Sequence, residues 1–480
     1  NKWRFTWMPQ KSAVVTDDET GTGGTQFMVE FLVKCLDHKN FDVRGAAALA
    51  LGRAGSAAKD LAVAPLEKLT KDSHFVPSES AVLALGMLKS VESVPMLTGL
   101  LENGKAKHRL RAHAAVALGL IGEKSSSRTM MDLLQKSNTH QQVKASCMMG
   151  LALMKEEAAA LTLLTIMKNT REKEDLRAMA ATALGKMGYT EVRMGSKKEN
   201  VVERLVQVLS SQKKTKKLKL SAIMAVSALG PSGKITSDKL VDVLGRIFST
   251  QRNADVRSFI LMGIAELARE GRAQEKARML FRNVLRTESH QGLLSLACLA
   301  AGLSKDRESV KYLRTIFKKN SNPELRSAAA VGIGLLKDVD STKLLLDTIN
   351  GKGSPELKGY CCMSLGLMGA KDNKEALPTL RTILTDGTVP ELRAAAAMAL
   401  TLLGEANAVD NLIKAGQEGN SYIRMSIIMA IGYFRDMRSV KPLIDLFESE
   451  DGMNDEIRAL TLTAIGYIAE ESEKPILKRL

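Results

Sequence analysis

A short pattern recurs along almost the whole chain. In its first copy, Asp42 and Arg44 precede a run of alanine and leucine that leads to Gly52, eight residues after the arginine. We call the position of Arg44 the anchor. Anchors follow at residues 78, 111, 144, 177, 219, 257, 294, 326, 358, 393, 424 and 458, spaced 31 to 42 residues apart. So regular a period predicts a repeat protein.

Each repeat is predicted to contain two α-helices. Small and aliphatic residues recur at helical spacing after each anchor, and a second amphipathic run begins about 17 to 21 residues later. The glycine eight residues after the anchor is expected to end the first helix in the left-handed conformation. Helix pairs of this size must stack on their neighbours to bury their apolar faces. The sequence therefore predicts an all-α fold, a right-handed α-solenoid of about 13 two-helix repeats.

Three copies of the pattern resemble HEAT repeats, specifically the short bacterial type shared with phycobilisome lyases. They contain Asp42 and Arg44, Glu391 and Arg393, and Glu456 and Arg458. The resemblance covers about residues 26–480 and implies an ARM/HEAT-type superhelix. In that family the acid and the arginine are structural. The resemblance thus implies structural anchors, each paired with a nearby acid, at Arg44, Arg111, Arg177, Arg257, Arg326, Lys358, Arg393, Arg424 and Arg458.

Residues 1–25 precede the repeats and are expected to form an aromatic arm, with Trp3, Phe5 and Trp7, followed by a glycine-rich joint at residues 21–24. The rings of the arm fit a binding hot spot or a lid on the first repeat equally well. Residues 26–480 are expected to form one solenoid with a truncated last repeat. Spacings of 42, 38 and 37 residues predict longer connections around 186–294.

The sequence predicts no catalytic, cofactor or metal site. None of the six histidines is followed by glutamate, whereas the HEAT-like deoxyhypusine hydroxylases hold two irons through His-Glu pairs. The five cysteines form no CxxC pair, and Cys361 and Cys362 fall inside an anchor helix, where packing is the expected role. Apolar stretches of about ten residues are too short to cross a bilayer.

Basic residues suggest a second candidate partner site. The chain has 69 Lys+Arg and 53 Asp+Glu, a net charge of +16. One lengthened connection is expected to be an exposed loop, which is either a solvated run of charge or a site that attracts an acidic protein, nucleic acid or an anionic surface. Its lysines are Lys213, Lys214, Lys216, Lys217 and Lys219.

These features favour a non-enzymatic scaffold that binds protein partners along the extended surface of the solenoid, within a larger assembly or by head-to-tail self-assembly. One alternative is a nucleic-acid or polyanion binder that uses the basic loop and the concave face. Another is a bilin lyase-like enzyme, which the repeat type alone implies. The location is expected to be cytoplasmic, or outside the cytoplasm if Asn1 is a processed mature terminus.

Overall fold

The computed structural model describes residues 21–194, 197–211, 215–269, 271–272, 274–351, 353–369, 375–403, 412, 421–449 and 453–470. The arm residues Trp3, Phe5 and Trp7 and the lysines Lys213 and Lys214 lie outside the described residues. The described chain is helical almost throughout, and its helices stack in pairs as an α-solenoid. The all-α solenoid fold expected from the sequence is therefore confirmed.

Each anchor is the fourth residue of a helix, and we call these the anchor helices. They are α2 (Phe41–Ala54), α4 (Phe75–Met87), α6 (His108–Ile121), α8 (Gln141–Leu153), α10 (Glu174–Met187), α12 (Lys216–Leu229), α14 (Ala254–Arg269), α16 (Gln291–Leu303), α18 (Pro323–Leu335), α20 (Pro355–Met368), α22 (Pro390–Leu402), α23 (Ser421–Phe434) and α25 (Asp455–Ala469). Their starts are capped where the sequence places a cap: the Asn322 side chain accepts a hydrogen bond from the Leu325 amide (3.0 Å), and Ser354 accepts one from the Leu357 amide (3.2 Å).

The second helices alternate with the anchor helices along the chain. They are α1 (Gly21–Lys34), α3 (Lys59–Leu69), α5 (Val94–Glu102), α7 (Ser127–Gln135), α9 (Glu157–Lys168), α11 (Val201–Ser210), α13 (Ser237–Thr250), α15 (Gln274–Thr287), α17 (Val310–Lys319), α19 (Thr342–Asn350), α21 (Ala376–Asp386) and α24 (Val440–Glu448). The core lies between the two sets of helices and is mostly aliphatic, with Phe281 and Phe317 among its largest fully buried side chains.

The glycines eight residues after the anchors do not end the helices, and this expectation was wrong. Gly52 lies inside α2, where a Cβ would come within 2.9 Å of the Ala84 Cα in α4. These glycines therefore let neighbouring anchor helices approach closely. The left-handed residue falls three positions later, eleven after the anchor, as at Gly122 (φ 84°), Gly188 (φ 81°) and Lys337 (φ 53°).

Two further expectations about connections are corrected. Residues 21–24 belong to α1 rather than to a joint, since α1 begins at Gly21 and buries Met28 and Leu32. Lys216, Lys217 and Lys219 lie in α12 rather than in a loop, because Leu218, Ala222 and Ile223 provide a buried helical stripe beneath them. One lengthened connection forms an antiparallel hairpin of β1 (Glu191–Met194) and β2 (Lys197–Asn200), with Glu191 opposite Asn200.

The described residues divide into two compact units, which the sequence did not predict. The central unit comprises Val94–Ala376, and its anchor helices α6 to α20 stack in chain order. The terminal unit combines the two ends of the chain, Asn1–Ser93 and Leu377–Leu480. In it the anchor helices stack in the order α22, α23, α25, α2 and α4, so that the last one packs directly on the first.

We call the packing of α25 on α2 a joint. It has the same close glycine contact as anchor helices that follow each other in the sequence. A Cβ on Gly466 would lie 2.8 Å from the Ala50 Cα, just as one on Gly432 would lie 2.7 Å from the Ala464 Cα. The Arg53 guanidinium lies 4.3 Å from the centroid of the Tyr467 ring. The Asn40 side-chain amide also donates to the Asp455 carboxylate (3.1 Å), so the joint has both apolar and polar contacts.

Candidate binding surface

The arginines at the anchors bind mainly to the helix that precedes them. Five of them donate Nε–H to a carbonyl near the C-terminal end of that helix. These contacts are Arg111 to Leu101 (2.8 Å), Arg177 to Met167 (3.0 Å), Arg326 to Phe317 (2.9 Å), Arg393 to Leu384 (2.9 Å) and Arg458 to Phe447 (3.2 Å). A guanidinium there satisfies a carbonyl that lacks a helical partner, and it lies at the negative end of the helix dipole.

The remaining anchors differ in their partners. Arg44 makes a two-bond contact with Asp72 in the connection to the next repeat (2.9 and 3.1 Å), and Arg257 pairs with Glu288 in the corresponding connection. Arg424 is buried in α23, and Lys358 is half-buried in α20. Acid partners thus come mainly from the following connection, and the carbonyl contact was not foreseen from the sequence.

The lysines of α12 reach acids of both neighbouring anchor helices. Lys217 pairs with Asp175 of α10, and Lys216 pairs with Asp255 of α14, whereas Lys219 is half-buried. The hydrogen bond from Lys217 lowers the pKa of Asp175, with the lysine charge as a second cause. These two lysines therefore connect three consecutive anchor helices, although their side chains remain 49% and 60% exposed.

A buried carboxylate near the hairpin takes up further positive charge. Glu199 of β2 is only 9% exposed and accepts hydrogen bonds from Lys168 of α9 (2.8 Å) and from Arg204 of α11. Burial raises the pKa of Glu199, but the two cations outweigh it and hold the pKa below the usual value. Part of the basic cluster is therefore neutralised within the central unit.

The anchor helices share an open face formed by four repeat positions. The residues two before and two, five and nine after each anchor fall within about 60° of one another on a helix of 3.6 residues per turn. These positions are the less buried ones in most anchor helices. Five residues after their anchors, Met224 of α12 and Met262 of α14 are 51% and 48% exposed. The open face is therefore apolar at its centre on α12 and α14.

The polar residues of this face line only a shallow, open depression. An open depression of about 450 Å³ lies at the N-terminal ends of α8, α10 and α12, lined by residues that include His140, Gln141 and Asp175. The His140 ring stacks on His108 with centroids 4.1 Å apart, and its Nδ1 accepts the Gln142 amide hydrogen bond. His140 therefore caps the start of α8, and the two histidine rings pack against each other.

The thiols are buried. Burial raises the pKa of Cys147 and Cys362 to about 12, and it raises the pKa of Cys298 as well. Within the described ranges, no group of three His, Cys, Asp or Glu side chains could hold a metal ion. No helix among these residues is both long enough and apolar enough to span a membrane.

Residues 342–425, which include α19 to α22, match the family model for HEAT repeats. No curated protein sequence matches the chain significantly.

Several solved structures of helical-repeat proteins are similar to the chain. Human deoxyhypusine hydroxylase in complex with glycerol shares 15% identity over 65% of this chain and 97% of its own, with a TM-score of 0.27. The CpcE and CpcF complex of phycocyanin lyase from Nostoc sp. PCC7120 shares 19% identity over 56% of this chain and 97% of its own (TM-score 0.35). Kap121p bound to the extreme C-terminus of the protein phosphatase Cdc14p shares 12% identity over 93% of this chain and 58% of its own (TM-score 0.45).

Similarities at these levels establish neither a shared activity nor a shared partner. The family match and the helix stacking agree with the resemblance seen in the sequence. Residues 342–425 thus match HEAT repeats, and the described helix pairs form an α-solenoid.

Proposed function

We propose that this protein is a non-enzymatic scaffold that binds a protein partner along the open face of its anchor helices. The observation that carries the proposal is the exposure of large apolar side chains at one repeat position, above all Met224 and Met262. Exposed apolar surface on an ordered element is typical of protein interfaces. Methionine also adapts its shape to varied apolar partners.

The charged groups support binding rather than chemistry. Five anchor arginines donate to helix carbonyls, and Lys216 and Lys217 pair with acids of adjacent repeats. The buried thiols, with raised pKa values, are poor nucleophiles at neutral pH. We therefore assign no catalytic residue, and the bilin lyase-like alternative rests on the repeat type alone.

Self-assembly through the chain ends would need a rearrangement. Head-to-tail stacking would use the outer faces of α2 and α25, and these two helices already cover each other in the terminal unit. A second copy would have to replace that internal joint. We therefore favour a different protein as the partner.

The test is affinity purification of the tagged full chain from its native source, in parallel with the double variant Met224→Lys/Met262→Lys. We expect the wild-type chain to recover a protein in a fixed ratio, and the variant to lose at least about tenfold of it. Recovery of no protein by the wild-type chain, or equal recovery by the variant, would contradict the proposal.

A polyanion ligand remains the second candidate because Lys216 and Lys217 stay about half exposed despite their ion pairs. Retention of a short DNA duplex on filters at 50 and 200 mM salt tests this function. Steep loss of retention with salt would favour it. No retention at 50 mM salt would eliminate it.

A further inference from the structure

One edge of the central unit carries exposed positive charge that the fold does not use. The connections that lead into α6, α8 and α10 lie at the edge where the anchor helices begin, because these helices stack in chain order. We call the exposed cations of these connections the basic edge; they are Lys105, Lys107, Lys136, Arg171 and Lys173. Among the described residues, no carboxylate forms an ion pair with any of the five. Their charges are therefore open to a ligand.

Acids are scarce in the sequence around these cations. Residues 103–111 and 136–144, which form two of the connections and the helix starts after them, contain six Lys and Arg and no Asp or Glu. In the third connection, Glu172 is half-buried. Farther along the chain, the first turns of α18 and α20 contain Glu324 and Glu356 instead. The positive charge is therefore a local feature rather than a general property of the repeat.

Helix stability does not explain the lysines at the helix starts. Lys107 and Lys173 are the N-cap residues of α6 and α10, and neither side chain makes a capping hydrogen bond. A cation at this end opposes the helix dipole, whereas asparagine or serine would cap the free amides. Asn322 and Ser354 do so at α18 and α20. The two lysines thus favour a bound anion over helix stability, a conflict that is typical of functional sites.

The length of the basic edge fits a short peptide segment. From α6 to α10 there are two intervals of about 8–10 Å, or about 16–20 Å in all. An extended polypeptide of six residues covers about 20 Å, and three of its residues match one interval. Carboxylates border the edge, with the exposed Glu102 at the end of α5 and Asp175 in the first turn of α10. A peptide can carry neutral residues opposite these acids, whereas a nucleic acid has a phosphate at every nucleotide.

The composition of the edge also disfavours a single-stranded nucleic acid. Such strands are bound by stacking their bases on aromatic side chains. Residues 103–111, 136–144 and 169–177 contain no Phe, Tyr or Trp. The His108 and His140 rings stack on each other, with centroids 4.1 Å apart. The edge therefore provides charge without an aromatic platform for bases.

We propose that the basic edge binds an acidic peptide segment of a partner protein in an extended conformation. An Asp or Glu at every third residue of the segment places about one carboxylate at each connection. Each exposed ion pair is weak, so several must form together for the segment to bind. The edge contains neither Met224 nor Met262, so it adds a second binding surface to the proposed scaffold and specifies the chemistry of the partner.

Three fluorescent ligands test the proposal by anisotropy with the full chain. They are a peptide of 12 residues with alternating Glu and Ser, the same peptide with Gln in place of Glu, and an oligonucleotide of the same charge as the Glu peptide. At 50 mM salt the Glu peptide should bind at least about tenfold more tightly than the Gln peptide and more tightly than the oligonucleotide. Its affinity should fall at 200 mM salt. No binding of the Glu peptide, equal binding of the Gln peptide or tighter binding of the oligonucleotide would overturn the proposal.

Matched variants locate the bound peptide. Lys107→Asp/Lys173→Asp reverses two charges of the basic edge and should weaken the Glu peptide at least about tenfold. The control Lys239→Asp/Lys343→Asp makes the same charge change at exposed positions in the first turns of α13 and α19, which begin at the opposite edge. The control should weaken the peptide by less than about twofold. Equal losses in both variants would show attraction by net charge alone and overturn the proposal.

The fold of these variants is checked separately. Aspartate in a first turn or at an N-cap interacts favourably with the helix dipole, so neither double variant should lower the midpoint of thermal unfolding. Lys105→Gln/Arg171→Gln removes two charges outside the helices and should also weaken the Glu peptide, by at least about threefold. Unchanged affinity in this variant would contradict the assigned edge.

The same peptide separates this surface from the open face. Met224→Lys/Met262→Lys should bind the Glu peptide at least as tightly as the wild-type chain does. If the wild-type chain recovers a native partner while the Glu peptide does not bind, the scaffold function stands and the assignment of the basic edge fails. If the peptide binds as expected and no native partner is recovered, the open-face function alone is contradicted.

Discussion

Helix α2 forms joints with two other anchor helices, and these joints differ in how far apart their partners lie in the chain. Its joint with α4 is local, as shown by Arg44 and Asp72, which are 28 residues apart. Its joint with α25 joins the chain ends, since Asn40 and Asp455 are 415 residues apart. Both joints place a glycine against an alanine backbone. The shape of the repeat, rather than proximity along the chain, therefore decides which helices can be neighbours.

The distant joint should be the weaker of the two. Closing a 415-residue loop in the unfolded chain costs about 2 kcal/mol more than closing a 28-residue loop. The Arg53–Tyr467 contact between α2 and α25 offsets part of this cost, and the edge-to-face pair of Phe31 and Phe447 (5.2 Å between centroids) adds a contact between the adjacent helices α1 and α24. We therefore expect the α25–α2 joint to form last and to open first.

The largest expected effect comes from filling the glycine contact of the distant joint. In Gly466→Leu the new side chain would meet the Ala50 backbone, which cannot move aside as a side chain can. We expect destabilisation of about 3 kcal/mol, with faster amide hydrogen exchange in α25 and α2. Gly52→Leu should act on the α2–α4 joint instead and leave the exchange in α25 less affected.

Gly245→Ala is the control for this prediction. Gly245 lies in α13, and a Cβ there would find no atom within 4 Å. The variant should be neutral or more stable by up to about 1 kcal/mol, since alanine favours a helix interior. Unchanged exchange in α25 of Gly466→Leu would show that the two helices do not pack as described.

A double-mutant cycle measures the side-chain coupling across the distant joint. Arg53 is 7% exposed and lies over the Tyr467 ring. We expect Arg53→Met and Tyr467→Leu to couple by about 1 kcal/mol in the free energy of unfolding. Either substitution alone removes the desolvated cation–π contact, so the double variant loses it only once. Additive effects would contradict a direct contact between α2 and α25.

The left-handed lysine at the end of α4 offers a stabilising change on the local side. Lys89 has φ 53°, a conformation that glycine adopts without the Cβ clash. Lys89→Gly should therefore raise the free energy of unfolding by about 0.5–1 kcal/mol, as measured by urea titration. Lys68→Gly, within α3, should instead destabilise the chain by a similar amount. The same sign for both variants would be inconsistent with the backbone assigned to Lys89.

The smallest effect separates the two joints by pH. At the distant joint, burial lowers the pKa of His38; Asp455 raises it, and Arg458 and Lys39 lower it further. An unfolded histidine titrates near pH 6.5, so this contribution to stability is complete above that pH and is lost as the pH falls towards the lowered value.

The local joint should respond only at lower pH. Burial raises the pKa of Asp72, but hydrogen bonds from Arg44 and from the His74 amide, together with the Arg44 charge, hold it below the usual value. Its contribution is therefore present above about pH 4 and is lost below that. Between pH 7.5 and 5.5, hydrogen exchange corrected for intrinsic rates should speed up in α25 and change less in α4. Equal changes would refute the distinction.

The sequence predicts the periodic part of this molecule well, for a physical reason. Each anchor helix must bury the same small residues against its neighbours, so the pattern around Arg44 recurs wherever the structure recurs. The left-handed position was also visible in principle. Eleven residues after the anchors stand glycine or a basic residue in several repeats, whereas the expected helix end lay three residues earlier; examples are Gly122, Gly188, Lys305 and Lys337.

The packing of repeats that are far apart in the sequence cannot be predicted from the repeat pattern. Nothing in the local pattern distinguishes α25 as the neighbour of α2, since Gly466 meets the Ala50 backbone much as Gly52 meets Ala84 and Gly432 meets Ala464. The lysines of α12 were wrongly expected to lie in a loop. Their charge dominates the local sequence, so the helical spacing of the buried Leu218 and Ile223 was not recognised. The repeat pattern also does not distinguish the exposed Met224 and Met262 from buried methionines, since only packing shows which side of a helix stays open.

The most direct test of the α25–α2 joint uses two spin labels. Leu49 and Thr463 are each five residues after an anchor, on α2 and α25, and are only partly buried. The five native cysteines are buried, so introduced cysteines at these two positions should react selectively. With helix axes about 8–10 Å apart, the doubly labelled chain should show strong dipolar broadening of its continuous-wave EPR spectrum. A spectrum equal to the sum of the two singly labelled chains would contradict the packing of the last anchor helix on the first.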